Sequence, residues 1–189
     1  MNDDTMNEMA YDPAEHVMID IETLGTKPGS VVFSVGAVPF SADGVEEGER
    51  WVMGVQDQLN MGLTVDADTL AWWLKRAKSG EAEVLMRALG APDPMERVEM
   101  WARLRDWIGE DTVVWANGPD FDLRCLEALK WTFTKTYETP WRYWNCRCFR
   151  TWRKVLGWGK PDNGHDALED ARKQAEVVAM WLGSERGAR

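Results

Sequence analysis

Apolar positions run in strand-like patterns through the first third of the chain and at helical spacing afterwards. In His16-Val-Met-Ile-Asp-Ile-Glu22, Val17, Ile19 and Ile21 share one face of a strand expected over residues 16–21; Asp20 and Glu22 share the other. Apolar runs over 31–38 and 51–55 complete a three-strand meander, with turns marked by Gly25, Pro28 and Gly29 and by Asp43 and Gly44. Asp66 or Asp68 can cap a helix whose stripe is Leu70, Trp73, Leu74 and Ala77. Residues 81–89 continue helical until Gly90, Pro92 and Pro94 interrupt the pattern. Pro94 suits the first turn of a helix over 95–108, whose inward positions are Val98, Trp101, Leu104 and Ile108. A short strand over 112–116, a turn at Asn117-Gly-Pro119 and a helix over 121–129 follow. The last helix, over 167–182, carries Leu168, Ala171, Ala175, Val178 and Leu182 on one face. Strands, helices, one more strand and further helices predict an α/β fold, a mixed β-sheet flanked by helices.

Composition bounds this picture. A length of 189 residues suits one domain, expected over 16–183, between a polar leader at 1–15 and a short tail at 184–189. Hydrophobic residues at 44% and charged residues at 29% exclude a wholly disordered chain. There is no apolar run long enough to span a membrane, and the acidic start lacks the basic and apolar regions of a secretory signal. Three cysteines and two histidines do not complete a zinc set, so free thiols in a reducing cytoplasm are expected. The net charge of −10 argues against a sequence-independent coat on nucleic acid, but not against an enzyme whose cations supply the positive charge.

Three segments carry the chemistry. Asp20 and Glu22 stand roughly 7 Å apart on one strand face, a spacing that costs repulsion unless cations neutralise them. In Trp115-Ala-Asn-Gly-Pro-Asp-Phe-Asp122, a strand ends in a turn and delivers two acids to a helix start; Asp120 is the better cap and Asp122 lies inside the first turn. In Gly164-His-Asp-Ala-Leu-Glu-Asp170, Asp166 and Glu169 have the spacing of a capping box, and Asp170 borders the apolar stripe, where an unpaired carboxylate is costly. Asp20, Glu22, Asp122 and Asp170 together are hard oxygen ligands suited to two Mg²⁺ or Mn²⁺ ions aligned on a phosphodiester. His165, in the loop before the last helix, can take a proton near neutral pH.

The ordered motifs D-I-E, N-G-P-D-F-D and H-D-A-L-E-D resemble those of the DnaQ-like 3′–5′ exonuclease superfamily, DEDDh branch. Asp20-Ile-Glu-Thr-Leu-Gly25, Trp72-Trp73, and Pro140-Trp141 through Arg147, Arg150 and Thr151 look most like the small exonuclease VIII-like and mycobacterial-type exoribonuclease group, often phage-encoded. The resemblance implies a ribonuclease H-like fold and a 3′–5′ exonuclease acting on single-stranded or 3′-overhang RNA or DNA. It further implies a two-metal mechanism, with nucleoside 5′-monophosphates as products. Carried over, the four acids are metal ligands and His165 is the general base; Thr23 and Leu24 contact the terminal ribose and base. Two positions depart from the pattern: Asp120 adds an acid before Phe121, and Cys148 stands where the closest relatives carry an acid. Relatives of this kind are often homodimers, and a phage-encoded member would act in the bacterial host cytoplasm.

Residues 125–160 hold eight Lys or Arg against two acids, interleaved with aromatics, a composition that suits single-stranded nucleic acid. Trp72, Asn117, Arg147 and Arg150 are the substrate-binding candidates there and around the motifs. Trp72 is the candidate base platform, because Trp73 belongs to the apolar stripe about 100° away. A silent binding module needs no set of four acids and a histidine, and a protein adaptor would leave the basic segment idle.

Overall fold

In the computed structural model, residues 13–80, 82–90, 95–161 and 164–187 are described, and β1 (His16–Thr23) is the middle strand of a mixed sheet. It pairs antiparallel with β2 (Val32–Ser41) and parallel with β5 (Val113–Ala116), which pairs parallel with β6 (Cys146–Cys148). Two short strands, β3 (Gly44–Val45) and β4 (Glu49–Val52), both pair with the outer edge of β2, so six strands fill five positions. The meander is therefore present with its third strand split. The expected strand over 51–55 ends early because Gly54 caps α1 (Val55–Asn60), a helix the apolar run concealed.

Between β4 and β5 the chain forms α1, α2 (Ala67–Ala77), α3 (Glu83–Gly90) and α4 (Met95–Trp107). Asp66 caps α2 by accepting from the Asp68 and Thr69 amides at 3.1 and 3.0 Å. Trp73 anchors that helix in the core, whereas Leu74 and Ala77, expected on the same stripe, face solvent. Val98 of α4 is likewise exposed; Trp101 and Leu104 carry its packing. Pro94 lies outside the described residues.

After β5 come α5 (Pro119–Thr134), a 3₁₀ turn (Tyr143–Asn145), β6, α6 (Phe149–Val155) and α7 (Ala167–Gly187). Helix α5 begins two residues before the expected start, with Gly118 as its cap and Pro119 at the first helical position. Helix α7 runs beyond 182, so residues 184–187 of the expected tail are helical. Residues 1–12 of the expected leader lie outside the described residues; Ala14 donates its amide to the Trp107 carbonyl, and Glu15 pairs with Arg186 at 3.1 Å.

The period of two in β1 sorts its side chains between two apolar clusters. Val17, Ile19 and Ile21 pack with Phe33, Trp73, Leu104 and Leu126 on one face. Met18 packs with Phe40, Trp115, Ala171, Ala175 and Val178 on the other, beneath α7. Small residues let α7 approach closely. A methyl group at Gly36 would stand 2.3 Å from the Ala167 carbonyl, so only glycine admits the first turn of α7 there. Gly36 is the cross-strand partner of Asp20, which brings the start of α7 beside the acidic end of β1.

Candidate active site

Each acid reaches the site by a different local device. Asp20 and Glu22 leave β1 on the α7 face at the end of the strand and are each 8% exposed. Asp122 sits in the first turn of α5, 6% exposed, and its Oδ2 accepts from the Gly118 amide at 2.9 Å. That reach back to the cap replaces the capping role expected of Asp120, which is exposed. Asp170, 3% exposed, accepts from the Gly164 amide at 3.0 Å through Oδ1. Asp166 caps α7 by accepting from the Leu168 and Glu169 amides, both at 3.2 Å, and pairs with Arg50 at 3.1 Å.

His165 occupies the loop just before α7 with φ 55°, a left-handed conformation uncommon for a residue with a side chain. Ligand-capable atoms of Glu22, His165 and Asp170 lie within 4.8 Å of one another. The His165 ring meets Trp72 edge to face at 4.8 Å between centroids and Trp73 at 6.1 Å. Trp73 is itself fixed by donating Nε1–H to the Thr23 carbonyl at 3.0 Å. The Arg76 guanidinium covers the Trp72 ring at 4.2 Å. The adjacent tryptophans of α2 thus connect the imidazole to the end of β1.

The carboxylates share a high electrostatic cost. Burial, then the Asp122 charge, push Asp20 well above the usual carboxylate range, against a hydrogen bond from Gln174. Burial, then Asp20 and Asp170, do the same to Glu22. Burial raises Asp122 to about 6 despite the Gly118 hydrogen bond and the opposing charge of Arg150. Asp170 is raised by burial, with the Gly164 amide and His165 acting the other way.

A cleft of about 570 Å³ opens beside this cluster, lined among others by Glu22, Thr23, Thr26, Trp72 and Phe121. Thr23 and Trp72 therefore both line this cleft. Asn117 accepts from the Arg150 amide at 3.2 Å, and the Arg150 guanidinium lies by Gly118, next to Asp122. Two other candidates sit elsewhere. Leu24 is 1% exposed and packs in the larger apolar cluster. Arg147 turns onto the Trp144 and Cys146 carbonyls at 2.8 and 3.0 Å, in register with Trp115. Asn163, beside the histidine loop, lies outside the described residues.

Sequence reasoning passed over Gln174. It is 2% exposed and donates Nε2–H to Asp20 Oδ1 at 3.0 Å. Its position four residues after Asp170, one helical turn on, was the available signal.

A family model described as the 3′–5′ exoribonuclease Rv2179c-like domain matches residues 15–182. No curated protein matches the chain. Among solved structures, that of E. coli Exonuclease I in complex with a 5cy-dT13 oligonucleotide is similar, with a TM-score of 0.53 at 14% identity. The match covers 94% of this chain and 42% of that one, so this chain spans less than half the length of that relative. The likeness is one of fold, and it agrees with the ribonuclease H-like sheet expected above.

Proposed function

The chain belongs to the 3′–5′ exoribonuclease Rv2179c-like domain family, and from that premise we propose that it removes nucleoside 5′-monophosphates from the 3′ end of single-stranded RNA. One observation carries the reading. Four carboxylates from β1, α5 and α7 are buried together beside an open cleft, with an imidazole in reach of two of them.

This donor set fits divalent cations. Its groups are hard oxygens whose pKa values burial raises, helped at Asp20 and Glu22 by the charges of the neighbouring acids, a cost that bound positive charge relieves. Asp20, Glu22, Asp122 and Asp170 would hold two Mg²⁺ or Mn²⁺ ions, which when bound polarise the phosphodiester, activate a water and stabilise the leaving oxygen. The remaining work falls to the chain. His165 takes the proton of the attacking water through a ring nitrogen. The water oxygen bonds to phosphorus, and the bond to the 3′ oxygen of the shortened strand breaks. Trp72 and Trp73 hold the imidazole ring, so its proton-accepting position does not depend on the loop alone. Phe121 and Trp72 offer apolar faces to the terminal base, and Arg150 places positive charge beside Asp122.

The test is digestion of 5′-labelled single-stranded RNA, with matched DNA in parallel, in Mg²⁺ or Mn²⁺. A ladder shortening from the 3′ end with 5′-mononucleotide products is expected, and Asp20→Ala should abolish it. An Asp20→Ala protein that digests RNA as fast as wild type sinks this site. Tight RNA binding without any metal-dependent product favours a silent binding module instead.

A further inference from the structure

The single side-chain amide of Gln174 has a donor end and an acceptor end in one buried place, and only the donor end is accounted for. Its Nε2 donates to Asp20 Oδ1 at 3.0 Å, while Oε1 is buried with no hydrogen-bond partner among the described residues. With Nε2 engaged by Asp20, the carbonyl end of the same amide is left buried without a donor. Buried carbonyl oxygens are nearly always given a donor, and one left without a protein donor at an acid cluster points to a donor that arrives with a ligand. The helix explains the placement. Gln174 follows Asp170 by four residues on α7, so both side chains lie over the end of β1, and the close approach at Gly36 brings them within reach of Asp20.

We propose that Gln174 is a positioning residue of the cation site, fixing the Asp20 carboxylate through Nε2 and accepting a hydrogen bond from the water shell of a bound divalent cation through Oε1. The proposal rests on the reading that the four acids hold such cations. It assigns Gln174 no contact with the reacting phosphate. A group of this kind orients a ligating carboxylate, and its loss weakens metal binding rather than the fold.

The experiment is Mn²⁺ binding to the full chain without nucleic acid, followed by the electron paramagnetic resonance of free Mn²⁺, for wild type, Gln174→Met and Asp20→Asn. Gln174→Met keeps the volume and removes both polar ends of the amide. Its Mn²⁺ affinity should fall about 10- to 100-fold, with a cooperative metal-free melt like that of wild type. Asp20→Asn should weaken binding as well. Wild-type affinity in Gln174→Met alongside weakened binding in Asp20→Asn overturns the role of Gln174 and leaves the cation site standing. Wild-type affinity in both variants overturns the cation site itself, and the proposal with it. Should Gln174→Met not fold cooperatively, Gln174→Asn replaces it. Its shorter stem withdraws the amide from Asp20, so the same loss is expected and the same retention is decisive.

Discussion

His165 is the residue whose surroundings admit two chemical roles, and they separate cleanly by measurement. Its ring atoms lie within 4.8 Å of ligand-capable oxygens of Glu22 and Asp170, close enough for a cation to be shared. Mg²⁺ and Mn²⁺ nevertheless prefer oxygen donors, and four carboxylates are at hand without it. Trp72 and Trp73 hold the imidazole edge to face, which orients the ring beside Glu22 and Asp170. His165→Ala should therefore lower turnover on RNA by about 10²- to 10⁴-fold, the usual loss of a general base, while Mn²⁺ binding persists. Loss of Mn²⁺ binding in that variant would make the histidine a ligand. The cysteines show the contrasting case of a residue with no such setting. Burial pushes the Cys125 thiol up to about 12, so it behaves as a packed apolar group, as the free-thiol expectation held.

At the scale of elements, the site depends on where α7 starts. Its first turn rests on β2 at Gly36, where an added methyl would meet the Ala167 carbonyl and the Leu168 amide at 2.3 and 2.4 Å. Both contacts are backbone, so neither can swing aside, and Gly36→Ala must push the helix off the sheet. The expected cost is about 1–3 kcal/mol of stability, together with a loss of activity, because Asp170 and His165 travel with that turn. A thermal melt and an RNA digestion check both; a variant with unchanged activity would show that α7 need not sit so close. The periodicity of β1 and α7 was legible in the sequence because each element has one clear apolar face. The starts of α1 and α5 were not, since Gly54 and Gly118 cap them through backbone geometry and leave no side-chain cap to read. The same holds for β6, three half-buried residues whose strand character comes from pairing with β5 and not from its own pattern. Among the site residues, the four acids and His165 stood out as motifs. Gln174 and the burial of Leu24 did not, because both follow from how α7 and the turn after β1 pack.

Over the whole molecule, the net charge of −10 is unevenly placed, and part of it is concentrated where it is least stable. The four acids are buried, while the basic residues of 125–160 are spread over α5, β6, α6 and the segments that follow α5 and α6. Arg150 is the one of them that opposes the Asp122 charge. A metal-free protein consequently stores electrostatic cost that grows with pH. The sign follows from proton binding. Asp122 titrates at about 6 when folded against 3.8 as a free side chain, so the folded state binds its proton more tightly than the unfolded one. Stability from this group is complete below pH ~4 and is lost as pH rises through about 6, a change of ~3 kcal/mol for that group alone. Asp20 and Glu22, raised well above the usual carboxylate range by burial and then by their neighbours' charges, add to the loss in the same direction. Cations that bind the ionised carboxylates act only on the folded state and so oppose the decline. EDTA-treated protein should melt at a lower temperature at pH 7.5 than at pH 5.5, and millimolar Mg²⁺ or Mn²⁺ should raise the melting temperature far more at pH 7.5. In Asp20→Asn the metal-free decline should be shallower, because one buried charge and its repulsion of the others are gone. Equal melting temperatures at the two pH values, with no response to either cation, would mean that the four carboxylates do not share a desolvated site.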